Sequence, residues 1–154
     1  MDDEAFVRTF EAGEVPPDGF HHADHVRVVR WYLKRYPLPE ALRTFIDALK
    51  RFALARGKPQ LYHETITVAY VLLINERLDD VEYAMTWAEF AGRHADLLAW
   101  QPSILDRYYR PETLASDRAR RTFVMPDRLI LPSGRATAFA DATAVKSSAP
   151  TNHE

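Results

Sequence analysis

The sequence predicts an all-α protein, a compact helical bundle of about five main helices followed by short C-terminal helical pieces. Three observations carry that prediction. Apolar residues recur at three- and four-residue steps through successive segments, the spacing that puts side chains on one helix face. Helix-starting acids and prolines, and helix-stopping glycines, fall between those segments. No apolar–polar alternation is long enough to make a sheet, and the five glycines include no Gly-rich phosphate loop or dinucleotide-binding fingerprint.

In chain order, Asp2 or Asp3 caps a first helix that ends near Gly13 and buries Phe6, Val7 and Phe10. Pro16 and Pro17 then break the chain. A second helix covers about His21 to Tyr36. Its buried face holds His22, His25, Val26, Val29, Tyr32, Leu33 and Tyr36, and its polar face Arg27, Arg30, Lys34 and Arg35. Pro39 suits the start of a third helix, whose stripe runs from Ala41 through Phe45 and Leu49 to Ala53 and stops at Gly57. The stretch from Leu61 to Leu78 is apolar on nearly every side between Ile66 and Ile74, so it is expected to be the central, fully covered helix. After Arg77 comes a polar stretch, Asp79 to Glu82. Thr86 and Glu89 form a capping box that opens a fifth helix carrying Trp87, Phe90, Ala91 and His94 on one face. Short pieces follow at Ser103 to Tyr109, Pro111 to Leu114 and Ser116 to Phe123. Residues 1–132 make one helical domain, and residues 133–154, rich in Ala, Ser and Thr, are expected to be disordered.

Bulk properties narrow the function classes. A net charge of −2 and a pI near 6.3 provide no basic field for nucleic acid. No apolar run approaches the ~20 residues that span a bilayer, and no hydrophobic signal segment opens the chain, so a cytoplasmic protein is expected. A small-molecule substrate or ligand is the expected partner, and a homo-oligomer is compatible with this composition. The absence of cysteine leaves His, Asp and Glu as metal donors.

The histidines are the candidates for chemistry. Short connections make neighbouring helices antiparallel, so the second and fourth helices start at the same end. His22 and His25 lie in the first turn of one, and His63 at the entrance of the other. Helices packed ~8–10 Å apart let imidazoles from both reach one ion. The positive end of the helix dipole also favours the neutral ring that a metal requires. His21 is an alternative partner for His25, and His94, late on the rising fifth helix, returns to the same end. Glu64 has two competing roles: general base on a metal-bound water, or a carboxylate that simply complements the helix dipole. Tyr62 is a wall residue. Tyr109 and Arg120, on the returning C-terminal pieces, are candidates for substrate binding, the arginine through a forked contact to a carboxylate or phosphate.

The segments Phe20-His21-His22-Ala23-Asp24-His25-Val26-Arg27 and Tyr62-His63-Glu64-Thr65 resemble a family of small bacterial all-helical proteins without an assigned activity. That family carries an aromatic-x-His-x-x-His-aliphatic-Arg motif followed by Tyr-His-Glu-Thr. The resemblance extends to Tyr108-Tyr109 and Ser116 through Asp127. It implies His22, His25 and His63 as the ligand set and leaves the reaction open.

Two functional expectations follow. The first is a metal-dependent enzyme acting on a small organic substrate. Its single divalent ion, Zn or Fe(II), is held by His22, His25 and His63, with Glu64 as base or extra ligand. The second is a non-catalytic protein that binds a metal or a small aromatic compound in a pocket lined by Tyr62, Tyr32 and Trp31.

Overall fold

Helix boundaries follow local chemistry. In the computed structural model, which describes residues 1–16 and 18–128, α1 (Asp3–Glu11) starts where the Asp2 carboxylate accepts a 2.7 Å bond from the Ala5 N–H. It ends at Gly13, whose φ of +72° suits a residue without Cβ. A Cβ there would also stand 3.1 Å from that of Ala55. α2 (His22–Leu33) opens with the Asp24 side chain accepting from the His21 N–H. α3 (Leu38–Ala55) carries Pro39 in its first turn, and α4 (Glu64–Arg77) is capped by His63.

The later elements are shorter. They are α5 (Asp80–Ala84), α6 (Trp87–Arg93), α7 (Ala95–Leu98), α8 (Pro111–Leu114) and α9 (Asp117–Arg121), with 3₁₀ turns at Pro59–Leu61 and Ile104–Arg107. Among the described residues there is no strand, and no helix is long and apolar enough to cross a membrane. The bundle of five substantial helices, α1 to α4 and α6, is the expected architecture. The expected domain end at 132 and the tail 133–154 lie outside the described residues.

Two expectations need correction. α2, not α4, is the enclosed helix: it packs against α1, α3, α4 and α7. α4 leaves Leu72 exposed. The second correction concerns Arg30. Assigned to the polar face, it is among the most buried residues, only 1% exposed. Its guanidinium donates to the Met85 carbonyl, lies 3.5 Å from the Asp3 carboxylate and stacks 5.1 Å from the centre of the Phe90 ring. The α2 pattern looks amphipathic because this cation counts as polar in a periodicity reading. In the fold its charge is matched by Asp3 and its stem is covered.

The polar stretch from Asp79 forms a short helix. Asp79 accepts from the Val81 and Glu82 N–H groups and starts α5. The capping box at Thr86 and Glu89 is present, with bonds of 3.2 and 2.8 Å. The fifth helix breaks at His94 and restarts as α7.

Replacing Arg30 tests its buried role. Urea unfolding of Arg30→Ala is expected to show a loss of about 2–3 kcal/mol. Arg8→Ala, which removes an exposed pair with Glu4, should cost no more than about 0.5 kcal/mol. Equal costs would place the Arg30 side chain in solvent.

Candidate functional site

The starts of α2 and α4 meet at a cavity of about 500 Å³, walled further by α3, Trp100 and Arg120. His22, His25 and His63 all line it, as do Tyr62, Thr67 and Tyr70. The convergence expected from antiparallel packing is therefore present, but each imidazole is used differently.

His22 is the first residue of α2. Its Nε2 donates to the Leu97 carbonyl at 2.8 Å, and its ring packs against Tyr70 and Trp100 with centroids 4.4 and 4.9 Å away. Burial lowers its pKa, and the bond to Leu97 partly offsets this. One turn on, His25 sits among Phe10, Phe20 and Phe52, with ring centroids 6.1, 4.9 and 6.4 Å away. Its Nε2 is shielded from solvent and has no hydrogen-bond partner among the described residues. Burial, and secondarily the neighbouring His22, push its pKa down to about 4, so the ring is neutral near pH 7.

His63 joins two parts of the fold. Its Nδ1 accepts from the Ile66 N–H at 3.1 Å, capping α4. An imidazole accepting at Nδ1 carries its proton on Nε2, and that N–H donates to the Leu114 carbonyl at 2.7 Å. Next to it, the Thr65 hydroxyl donates to the Thr122 carbonyl at 2.9 Å and accepts from the Val124 N–H at 3.1 Å. The C-terminal pieces are thus held over the start of α4 by their main chain. This places Arg120 at the cavity mouth, where its Nη1 donates to the Gln60 carbonyl at 2.8 Å.

The other candidates separate. Tyr62 is a wall residue, as expected. Its hydroxyl donates to Glu64 Oε2 at 2.6 Å, and burial followed by that carboxylate raises its pKa. Glu64 is not among the lining residues, and its Oε2 accepts from the hydroxyl of Tyr62, which is one of them. Tyr109 also misses the cavity. It is buried, its hydroxyl donates to the Val124 carbonyl at 2.7 Å, and burial pushes its pKa up to about 12. Tyr32 donates to Glu11 at 2.6 Å, and neither it nor Trp31 lines the pocket.

Of the two alternative histidines, His21 faces outward and donates to the Asp18 carbonyl at 2.8 Å. His94 belongs to a separate buried network. It accepts from Arg77 at 3.0 Å through Nδ1 and donates through Nε2 to Glu82 at 3.2 Å. Arg77 pairs in turn with Asp96 at 2.7 Å, and Arg93 with Glu82 at 2.9 Å.

The lining also includes residues that sequence reasoning passed over: Trp100, Arg56 and Lys58. A signal for the last was present, since the loop into α4 must lie at the end where α4 starts. Trp100 reaches the site because α6 and α7 bring the chain back to that end.

Among the described residues, no group of three His, Asp or Glu side chains stands in a position to hold a metal ion. The hydrogen bonds explain why. His63 has both nitrogens committed to backbone groups, and His22 has its Nε2 committed to Leu97. As the rings stand, the expected three-histidine chelate does not fit. Comparison with known proteins found no matching family model, no matching curated protein and no matching solved structure.

Two predictions come from these imidazoles. With a folded pKa near 4 against an ordinary 6.5, His25 takes up its proton more readily in the unfolded chain. Its contribution to stability is full above pH 6.5, declines as pH falls and is lost through pH 4. Comparing urea midpoints of wild type and His25→Leu across that window should show a steeper decline in wild type, by up to about 3 kcal/mol. Parallel profiles would mean a solvated ring. Separately, His63→Ala should lower stability by about 2 kcal/mol through the lost cap and the orphaned Leu114 carbonyl. His63→Asn should recover part of that loss, since asparagine caps well.

Proposed function

We propose that this protein binds a small organic molecule with an apolar body in the cavity between α2, α3 and α4. The cavity itself carries this reading. About 500 Å³ lies within the usual range for small-molecule sites, ~300–1,000 Å³. Its wall combines Phe45, Leu49, Phe52 and Ile66 with a few polar groups at fixed positions. Apolar surface transferred from water to such walls contributes roughly 25 cal/mol per Å², and the polar groups select orientation. The His25 imidazole, neutral and with an Nε2 that has no hydrogen-bond partner among the described residues, is the group that gains most from a ligand able to bond to it.

Calorimetric titration with the neutral probes indole and decanol tests this. Saturable binding at one site is expected in wild type. It should be lost in Leu49→Trp, which fills the cavity from α3 and should leave the melting temperature within a few degrees of wild type. Failure of both probes to bind wild type would sink the proposal.

One observation favours a second reading: His22, His25 and His63 line the same cavity. A divalent ion, Zn or Fe(II), held by these rings would require His22 and His63 to leave the carbonyls of Leu97 and Leu114. A metal-dependent enzyme acting on a small substrate would then follow from the open coordination positions. Elemental analysis of protein purified without a histidine tag discriminates. Metal present in wild type and absent from both His22→Ala and His63→Ala supports this reading, and metal content that does not differ among the three removes it.

A further inference from the structure

We infer that the ligand of this cavity is an organic anion, with its charged head held at the mouth and its apolar body inside. This rests on the small-molecule reading above and specifies the chemical class. The charge distribution around the opening supports it. Arg56, Lys58 and Arg120 line the cavity, all three exposed, whereas no aspartate or glutamate among the described residues does. The chain as a whole is nearly balanced, with 20 basic and 22 acidic residues. Glu64, a carboxylate one residue from the wall, is held off by the Tyr62 hydroxyl that it accepts from.

The three cations come from separate parts of the fold. Arg56 ends α3, with its guanidinium 5.5 Å from the centre of the Phe52 ring. Lys58 precedes the 3₁₀ turn into α4, and Arg120 lies on α9. Arg120 is positioned by its bond to Gln60, which uses Nη1 and leaves its other donors for a ligand. The floor is the opposite: Phe45, Val29 and Ile74 are buried and apolar. His25, among Phe10, Phe20 and Phe52, stays neutral near pH 7, and the permanent cations of the lining are the three exposed ones. A molecule matching this gradient carries a carboxylate or phosphate at one end of an aliphatic or aromatic body. An anion at the rim keeps part of its hydration while gaining charge-assisted bonds to arginine, and a head placed among the phenylalanines would lose both.

Titration of the full chain with decanoate, decyl phosphate and decanol tests this, in wild type and in a variant carrying Arg56→Gln, Lys58→Gln and Arg120→Gln. Wild type is expected to bind at least one of the anions roughly ten-fold more tightly than decanol. Added salt should shrink that preference, and the better anion identifies the head group. The variant should lose the preference and retain its affinity for decanol, with melting curves confirming that it folds. Equal affinity for anions and alcohol in wild type would overturn the anion assignment and leave the small-molecule reading standing. An anion preference that survives in the variant would also overturn it, because other groups would be responsible. No binding by any of the three would overturn both.

Discussion

The doubly bonded imidazole of His63 is the constraint on which the site depends. One nitrogen terminates α4 by accepting from Ile66, and the other reaches across to the Leu114 carbonyl. A cap ordinarily satisfies one orphan donor of a helix end. Here the same ring also fixes the path of a segment distant in sequence, and Thr65 repeats the pattern at Thr122 and Val124. Without those bonds the cavity would lack the wall that carries Arg120. One of the three rings expected as metal ligands is, in the fold, a structural tie.

Much of the fold was legible in the sequence because burial and helical spacing coincide there. Phe6, Val7 and Phe10 of α1, and Ala41, Phe45 and Phe52 of α3, are buried as their spacing implies. Asp2, Thr86 and Gly13 mark their helix ends for the local reasons that make such residues good markers. The apolar pattern points to α4 rather than α2 as the enclosed helix, whereas enclosure depends on what surrounds an element. α2 carries Arg27 and Arg30, which lower its apolar score, yet Asp3 and Met85 arrive from other segments to receive the charge. α4 is more apolar yet leaves part of one side open.

The candidate site divides along the same line. That His22, His25 and His63 share one place follows from chain direction alone, and chain direction can be read from loop length. What each nitrogen does there depends on which backbone carbonyl stands opposite. Leu97 and Leu114 offer no side-chain signal of that role, so spacing could not distinguish a chelate from three separately occupied rings. The same holds for Glu64 and Tyr109, whose partners are set by rotamer and by chain path. Charge was legible only in bulk: near-neutrality of the whole chain hides a cavity lined by Arg56, Lys58 and Arg120 and, among the described residues, by no carboxylate.

Residues 114–124 meet His63 and Thr65 through main-chain carbonyls and an amide rather than through their own side chains, which has a bearing on how such a pocket can diversify. Leu114, Thr122 and Val124 offer His63 and Thr65 only groups that nearly every amino acid possesses. Side chains along that strap can therefore be exchanged without loosening these bonds, and replacing Arg120 would forfeit only its own bond to Gln60. The gatepost of the pocket is replaceable while its hinge stays in place, so a single scaffold could be retuned from one ligand to another by changes confined to a few surface positions.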